Sequence, residues 1–292
     1  MRRVVRRLRA RRPVPGLDLR DRTFIFFGGL HKSGTSILHR LMRAHPSTSG
    51  FSGTGVPQDE GQHLQTVYPS GAAFGGSGRF AFDPRSYLSE KSELVTDDHR
   101  RRLSGELGAY YDLGKAVLLE KSPPNLVRAR FLQAMFPRSH FVFIIRHPVA
   151  VALATQKWSN TSVLELVLHW HVAHKVMFED LASLRSCAVF RYEDFVQTPQ
   201  RYLDRICSQV ELQRFQPVEQ VVDCNERYFG LLRELHGAER ALLQRSFPEV
   251  CRLAAQLGYS FSEPFVTDLE GDGFVRSEDI APRGAGRVEE DR

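Results

Sequence analysis

A loop near the N-terminus carries residue types that bind phosphate-like anions. The loop reads Gly29-Leu-His-Lys-Ser-Gly-Thr-Ser36, and its two glycines keep the spacing of the nucleotide-binding loop G-x-x-x-x-G-K-[ST]. Threonine replaces lysine after the second glycine, at Thr35, and a lysine occurs earlier, at Lys32. Backbone N–H groups at the start of a following helix, two hydroxyls and the Lys32 ammonium suit an anion, so we predict an anion-binding loop here.

The chain places a cation where nucleotide triphosphatases place the acid that holds Mg²⁺. Its most apolar stretch, His140–Arg146, ends in arginine rather than aspartate. A second apolar stretch, Lys115–Glu120, does end in an acid, so this contrast with the triphosphatases is incomplete. Protein cations in place of a metal suit a donor whose transferred group carries a single negative charge, and they suit nucleoside triphosphates poorly.

These residues need a scaffold that brings the loop and the strand ends together. The apolar run Thr23–Gly28 predicts a buried strand, and Ser36–His45 has apolar residues at helical spacing before a proline. Further strands are predicted at 115–120, 140–146 and 188–192. Strands that alternate with helices predict an α/β fold with a mostly parallel sheet of about four to five strands and helices on both faces. Ligands of such folds bind beyond the carboxyl ends of the strands.

The charge of the chain is concentrated at its start. The 292 residues have a formal net charge of +6, and the first twelve include seven arginines and no acid. We expect a disordered basic arm at 1–20, a catalytic α/β domain at 21–260 and a loose C-terminal tail at 261–292. Basic arms can contact nucleic acid or lipid, but we expect no nucleic-acid partner here, and the sequence leaves the oligomeric state open.

Hydropathy and cysteine spacing bear on where the protein works. No stretch approaches about 18 uninterrupted apolar residues, so we expect no membrane span. No apolar segment follows the arginines, which argues against a secretory signal. The four cysteines form no C-x-x-C pair, which argues against a disulfide scaffold or a structural zinc site. We therefore expect a reducing, cytoplasmic location.

Four segments, in order along the chain, resemble motifs of the sulfotransferases that use 3′-phosphoadenylyl sulfate (PAPS). His31–Ser36 resembles the loop that binds the 5′-phosphosulfate of the donor, and Phe141–Pro148 resembles the motif whose strand-end arginine binds the 3′-phosphate. Glu120–Asn125 is similar to the Lys-Ser/Thr-Pro element of heparan sulfotransferases, and Phe190–Phe195 to the strand-end Tyr-Glu-Asp segment. Each motif is moderately specific, but together they span 22–212 in family order. The chain looks closest to the tyrosylprotein and heparan enzymes.

The resemblance implies a P-loop-like sulfotransferase fold, PAPS as the donor and no metal. It assigns the 5′-phosphosulfate to His31, Lys32, Ser33, Gly34, Thr35 and Ser36, the 3′-phosphate to Arg146, and a nucleotide contact to Tyr192. The family usually has a serine eight positions after this arginine, where the chain has Ala154 followed by Thr155. Either Thr155 makes the contact through a shifted helix, or the contact is lost.

Three residues are assigned to the transfer step. Lys32 is expected to meet the negative charge on the leaving oxygen, because a loop lysine reaches it as a point charge. Lys121, at a predicted strand end, is expected to stabilise the sulfuryl oxygens or orient the acceptor. The tyrosylprotein branch has its catalytic glutamate in the loop after the first helix, and Glu60 is the nearest match. Asp59 and His63 remain rival bases, since histidine titrates near neutral pH and a carboxylate base needs a raised pKa.

Other interpretations stay open from the sequence alone. A P-loop kinase or nucleotide hydrolase would use a similar loop, and a non-catalytic module for RNA or another anion would use the basic arm. Lys121 could pair simply with Glu120 or another acid. Of His169, His171 and His174, only the last two share a helix face, and no cysteine or carboxylate completes a ligand set, so we expect no metal site. The acceptor could be a sugar, a phenol, a peptide tyrosine or a lipid hydroxyl.

Overall fold

A five-stranded parallel sheet forms the centre of the protein. The computed structural model describes residues 11–234, 245, 247–269 and 271–276. The strands are β1 (Thr23–Gly28), β2 (Thr48–Gly50), β3 (Val117–Lys121), β4 (Ser139–Ile145) and β5 (Cys187–Arg191). They lie in the order β2-β3-β1-β4-β5, and every neighbouring pair is parallel. The predicted α/β fold with its parallel sheet is confirmed.

Helices cover both faces of this sheet. They are α1 (Thr35–Arg43), α2 (Asp97–Gly108), α3 (Ala129–Met135), α4 (Pro148–Gln156), α5 (Val163–Leu181), α6 (Tyr192–Gln197), α7 (Pro199–Gln209), α8 (Glu226–Glu234) and α9 (Pro248–Gln256). Side chains of a strand alternate between faces, so Phe24 and Phe26 of β1 belong to the core with α2, α3 and α5. Ile25 and Phe27 belong to the core with α1 and α7. Both faces are buried, which explains the nearly continuous apolar runs of β1 and β4.

The carboxyl ends of the strands meet at one edge of the sheet. β1 pairs with β3 on one side and with β4 on the other, and β4 pairs with β5. The loop 29–34 follows β1 directly, Lys121 ends β3, Arg146 follows β4, and Tyr192 follows β5. Parallel pairing therefore gathers at one edge residues that lie far apart in the sequence.

The segment 51–91 consists largely of irregular chain broken by short turns. Single 3₁₀ turns occur at Pro57–Asp59 and Gly61–His63, and another, Phe80–Phe82, packs against α5. Phe80 is fully buried. The segment is thus packed over the sheet and holds fixed positions for the residues it carries. The strand β2, which precedes it, is not among the strands that the sequence predicted.

The chain before β1 lies against α2. Val14 donates a backbone hydrogen bond to Gly105 at 2.9 Å, and the Leu19 N–H donates to the hydroxyl of Ser104 at 3.0 Å. The predicted domain boundaries stay a prediction, and residues 1–10 of the predicted arm and 277–292 of the predicted tail lie outside the described residues. No helix in the described ranges is both long and apolar enough to cross a membrane.

Candidate active site

A cavity of ≈ 470 Å³ opens at the carboxyl edge of the sheet. It is lined by the loop 31–36, Glu60, Arg146, Trp158 and Tyr192, and by residues 219–224 opposite them. Its volume is that of an ordinary small-molecule site. This cavity, called the main cavity below, brings together most of the residues assigned to the donor and Glu60, whereas Ser33 and Lys121 do not line it.

The loop 31–36 presents the start of α1 to the main cavity. Gly34, with φ of 106°, precedes the first helical residue, and a Cβ added there would lie 2.7 Å from a ring carbon of Tyr192. Only glycine fits, because the conformation is left-handed and the ring leaves no space. The first turn of α1 carries no acid and no capping side chain. Its N–H groups and the positive end of its dipole are therefore free to meet an anion.

Two side chains of the loop are buried without hydrogen-bond partners. The hydroxyl of Ser33 and Nδ1 of His31 have none among the described residues. Burial, the largest effect, lowers the pKa of His31 to about 4, so its ring is neutral at pH 7. Buried polar groups normally find partners, so such atoms are candidates for ligand contacts.

The ammonium of Lys32 rests on an aromatic ring. Its Nζ lies 3.1 Å from the centre of the Trp158 ring, and Trp158 is 62% exposed. Burial, then the charges of Lys157 and Arg146, lower the pKa of Lys32. The backbone of Lys32 is left-handed, with φ of 72°, a conformation found for bulky residues mainly where the surroundings enforce it.

The guanidinium of Arg146 is held by neutral partners. Its Nε donates to Oδ1 of Asn225 at 2.7 Å, and its Nη1 donates to the carbonyl of Lys32 at 2.8 Å. The ring of Tyr192 lies 4.3 Å away from it. Its Nη2 is buried and has no hydrogen-bond partner in the described part of the chain. The positive charge is therefore held in place without a direct carboxylate partner, which suits an anionic ligand.

A buried carboxylate fixes Asn225 from behind. Oε1 of Glu193 accepts from Nδ2 of Asn225 at 2.9 Å, and Oε2 accepts from the Tyr259 hydroxyl at 2.7 Å. The first contact orients the Asn225 amide so that its oxygen faces Arg146. Burial raises the pKa of Glu193. Sequence reasoning missed Asn225, which belongs to no recognised motif, and gave no role to Glu193 although it lies in the Tyr-Glu-Asp segment.

Glu60 and Lys121 form a buried ion pair. Nζ of Lys121 lies 3.3 Å from Oε1 of Glu60 and donates to the carbonyl of Gln58 at 2.9 Å. The side chains are only 2% and 5% exposed for Lys121 and Glu60. Oε2 of Glu60 accepts from the Gln62 amide at 2.6 Å and lies 3.8 Å from Nε2 of His63. The ion pair connects the end of β3 to the loop after α1. It therefore holds the Glu60 carboxylate in a fixed position, which a general base requires.

The other acids of this region have different partners. Glu120 accepts from the Gly61 N–H at 3.0 Å and from the hydroxyl of Ser122 and amide of Asn125, both at 2.6 Å. Burial raises the pKa of Glu120, which anchors the loop rather than facing the main cavity. Asp59 lines a neighbouring cavity instead. Glu60 is thus the base candidate whose side chain lines the main cavity.

His63 and Thr155 lie beside the main cavity. Burial is the main cause that lowers the pKa of His63, which is therefore neutral at pH 7. The Thr155 hydroxyl donates to the carbonyl of His31 at 3.4 Å, so it supports the loop from α4.

Two of the three histidines of α5 have backbone partners, whereas Nδ1 of His171 is buried without a hydrogen-bond partner among the described residues. Nε2 of His169 accepts from the Ala81 N–H at 3.1 Å, and Nδ1 of His174 lies 2.7 Å from the carbonyl of Trp170. Within the described ranges, no group of three histidine, cysteine, aspartate or glutamate residues lies close enough together to hold a metal ion.

Comparisons with known proteins find several similar chains. A candidate protein-tyrosine sulfotransferase of Caenorhabditis briggsae is 22% identical over 280 residues, which cover 86% of this chain and 95% of that protein. A solved sulfotransferase from Alicyclobacillus acidocaldarius is 17% identical, with a TM-score of 0.49, and the match covers 81% of this chain and 96% of that one. The solved sulfotransferase domain from the curacin biosynthetic pathway is 15% identical, with a TM-score of 0.47 and coverage of 82% and 98%.

A family model settles the assignment. The model, described as the sulfotransferase family, matches residues 25–217, which is more than half of the chain. The chain therefore belongs to the sulfotransferase family, as the order of its motifs predicted. The matched region contains the loop 31–36, Glu60, Lys121, Arg146 and Tyr192, whereas Asn225 lies beyond it.

Proposed function

We propose that the protein transfers the sulfuryl group of PAPS to a hydroxyl of its acceptor. Family membership supports sulfuryl transfer, and the resemblance of the loop and the strand-end arginine supports PAPS as the donor. The observation that carries the proposal is the presence of two cationic centres in one cavity, Lys32 on the anion-binding loop and Arg146 with neutral partners.

The side chains of the main cavity fit a donor with two anionic ends. We assign the 3′-phosphate to Arg146, whose buried Nη2 lacks a partner among the described residues. We assign the 5′-phosphosulfate to the loop, namely His31, Lys32, Ser33, Gly34, Thr35 and Ser36. Tyr192, which packs against both Gly34 and the guanidinium, would contact the nucleotide between them.

Each charged residue then has a defined task in the transfer. When bound, the donor supplies an activated sulfuryl group, whose bond to a phosphate oxygen breaks as a bond to the acceptor oxygen forms. The Lys32 ammonium offsets negative charge that develops on the departing oxygen. The Glu60 carboxylate removes the proton of the acceptor hydroxyl. Lys121 fixes one oxygen of Glu60 and adds positive charge beside the reacting groups.

Nucleotide binding tests the donor assignment. The melting temperature is measured with 3′-phosphoadenosine 5′-phosphate (PAP), the desulfated donor, in the absence of metal. It is also measured with ATP, both with and without Mg²⁺. We expect PAP at a hundred times its Kd to stabilise the fold by about 2.7 kcal/mol. Stabilisation by ATP–Mg²⁺ alone would instead favour the kinase or hydrolase interpretation.

Turnover tests the transfer itself. The protein is incubated with radiolabelled PAPS and a panel of sugars, phenols, tyrosine peptides and lipid alcohols. We expect label to pass to at least one acceptor, and Lys32→Ala to lower kcat by roughly 10²- to 10³-fold. Lys91→Ala is the matched control, because Lys91 is an exposed lysine that does not line the main cavity. An unchanged kcat in Lys32→Ala would refute the assigned role.

A further inference from the structure

A second cavity of ≈ 380 Å³ adjoins the main cavity. Ser36, Arg40 and Gln58 line both cavities, so the two share a wall. Glu60 lines the main cavity and its partner Lys121 lines the second. One ion pair, 3.3 Å long, thus connects the proposed base to the second cavity.

The wall of the second cavity carries excess positive charge. Arg40, Arg43 and Lys121 line it, against a single acid, Asp59. Arg40 pairs with Glu219, which lines the main cavity. Arg43 donates to the carbonyl of Phe51 at 3.1 Å and has no carboxylate within 4.0 Å in the described part of the chain. A guanidinium with a carbonyl as its partner retains its charge for a ligand.

The single acid of the second cavity is already occupied. Asp59 accepts from the Thr54 hydroxyl at 2.6 Å, from the Thr54 N–H at 2.7 Å and from the Gly53 N–H at 3.0 Å. Desolvation raises the pKa of Asp59, but these hydrogen bonds and the nearby charge of Arg43 together outweigh it and the net pKa is lowered. Asp59 is thus a structural anchor of its own loop, and it attracts Arg43 without forming a direct ion pair with it.

The partition between the cavities is a strained piece of backbone. Gln58 and Asp59 both have left-handed conformations, with φ of 53° and 51°. Two successive non-glycine residues in this region cost free energy, and such strain concentrates where a function requires a particular geometry. Here it places the Gln58 carbonyl on the Lys121 ammonium, Glu60 in the main cavity and Asp59 in the second.

We infer that the second cavity binds an anionic group of the acceptor, so that the substrate is a hydroxyl compound that also carries a carboxylate or sulfate. The inference rests on the proposed function. The accepting hydroxyl must reach Glu60 in the main cavity, and only the partition at Gln58 separates that point from the second cavity. A cavity of ≈ 380 Å³ accommodates a group of small-molecule size. A neutral acceptor would leave Arg43 with only the Phe51 carbonyl and the more distant charge of Asp59 as partners.

Binding of matched pairs of small molecules to the PAP-saturated protein tests the inference. One pair is 3-(4-hydroxyphenyl)propionate and its amide, and the other is 4-nitrophenyl glucuronide and 4-nitrophenyl glucoside. PAP occupies the proposed donor site, so binding that it does not block reports on the acceptor side. We expect the carboxylate of at least one pair to bind about tenfold more tightly than its neutral partner. A preference in the first pair indicates a phenolic acid as the acceptor, and a preference in the second pair indicates a sugar acid.

Variants of one arginine locate the preference. Arg43→Gln should abolish it and leave the affinity of the neutral compound unchanged, whereas Arg43→Lys should retain part of it. Arg101→Gln is the matched control, since Arg101 lies on α2 and lines neither cavity. Retention by Arg43→Lys separates a loss of charge from a loss of folding, because both variants lose the guanidinium that donates to the Phe51 carbonyl.

Two results would overturn the inference. One is the absence of any preference for either carboxylate in the wild-type protein, and the other is a preference that survives Arg43→Gln. Both leave the proposed function intact, because PAP binding and transfer of radiolabel are measured separately. Conversely, failure of PAP to bind would remove the proposed function itself.

Discussion

Arg146 donates a hydrogen bond to the backbone carbonyl of Lys32 at 2.8 Å. This bond ties the end of β4 to the loop that follows β1, and it falls on a residue whose backbone is left-handed. The arginine assigned to one end of the donor therefore also shapes the loop assigned to the other end. Because Asn225 accepts from the same guanidinium and donates to Glu193, the arrangement extends to the start of α6.

Arg146→Gln should remove recognition of the 3′-phosphate. Glutamine can still donate one hydrogen bond to the Lys32 carbonyl, but it carries no charge. A lost hydrogen bond to a charged group is worth about 1.5–3 kcal/mol, so we expect PAP affinity to fall by roughly 10- to 150-fold. Adenosine 5′-phosphate lacks the 3′-phosphate, and its affinity should change much less. Calorimetric titration of both nucleotides measures the ratio.

The control for this prediction is Arg101→Gln, which changes the net charge equally on a distant helix. Asn225→Ala should produce a smaller loss in the same direction, because it removes the partner of Arg146 and not its charge. An equal loss for both nucleotides in Arg146→Gln would contradict a specific role in 3′-phosphate binding.

The contact between Lys32 and Trp158 should break when the donor binds. The bound anion and the ring face of Trp158 compete for the Lys32 ammonium. The cation–π contact contributes about 0.5–2 kcal/mol. Trp158→Leu should therefore tighten PAP binding by roughly 2- to 30-fold. The protein has two tryptophans, and Trp170 is fully buried, so the exposed Trp158 offers a direct optical signal.

We expect PAP to change the emission of Trp158. Trp158→Phe should lose the change because the reporter is absent. Lys32→Met should also lose it, because no ammonium leaves the ring when PAP binds. A PAP-induced change that persists in Lys32→Met would mean that the nucleotide itself, rather than the lysine, affects the ring.

Glu60→Gln should lower kcat and leave donor affinity unchanged. A general base contributes about 10²- to 10⁴-fold to a rate, and glutamine keeps the shape of the side chain but cannot take the proton. Steady-state kinetics together with PAP titration separate the two quantities. His63→Ala should have a small effect on kcat. If His63→Ala instead lowered kcat more than Glu60→Gln does, the base would be His63.

Glu60→Gln also leaves the Lys121 charge without its carboxylate, so folding must be checked. Breaking a buried ion pair on one side costs about 3–5 kcal/mol. The double variant Glu60→Gln with Lys121→Met removes both charges and should regain much of that stability. If kcat stays low while the melting temperature recovers, the loss of activity comes from the missing charged groups and not from unfolding.

The parts of the site that the sequence predicted are those whose signals are local. Four strands were visible because they are buried on both faces and read as apolar runs, and the anion-binding loop was visible because Gly29 and Gly34 are spaced by the turn itself. Arg146 and Lys121 then followed as residues at strand ends, and Tyr192 followed from the resemblance of its segment to the family motif. The three-residue strand β2 is too short to produce such a run, so it escaped prediction.

The parts that could not be predicted depend on contacts between distant segments. Asn225 and Arg146 are 79 residues apart in the sequence, and Lys121 and Glu60 are 61 residues apart. No sequence pattern in either segment indicates which residue will be its partner. Trp158 lies in the turn between α4 and α5, and only the folded chain puts it on Lys32. The sequence offered several acids for Lys121, and the packing of segment 51–91 selects Glu60.

Stability should fall steeply when the pH drops below 6.5. Burial is the largest cause that lowers the pKa of eight described histidines, and five of them have large shifts, to about 4 for His31, His147 and His174 and to about 3 for His39 and His169. Below pH 6.5 the unfolded chain binds protons that the folded chain does not. The stabilising contribution is therefore complete above 6.5 and is lost as the pH falls toward 4, at up to about 1.4 kcal/mol per histidine and pH unit.

Two buried carboxylates act in the opposite direction but are outnumbered. Burial raises the pKa of Glu120 and Glu193, so their folded forms bind protons more tightly, and falling pH favours folding through them. Urea unfolding between pH 7.5 and 5 measures the net slope. His174→Gln should lower stability at pH 7.5, because His174 is fully buried and its packing would change. The variant should also reduce the pH dependence of the free energy of unfolding by one proton, because it removes one buried histidine whose Nε2 lacks a hydrogen-bond partner among the described residues. A free energy of unfolding that stays constant from pH 6.5 to 5 would contradict the buried, neutral state of these histidines.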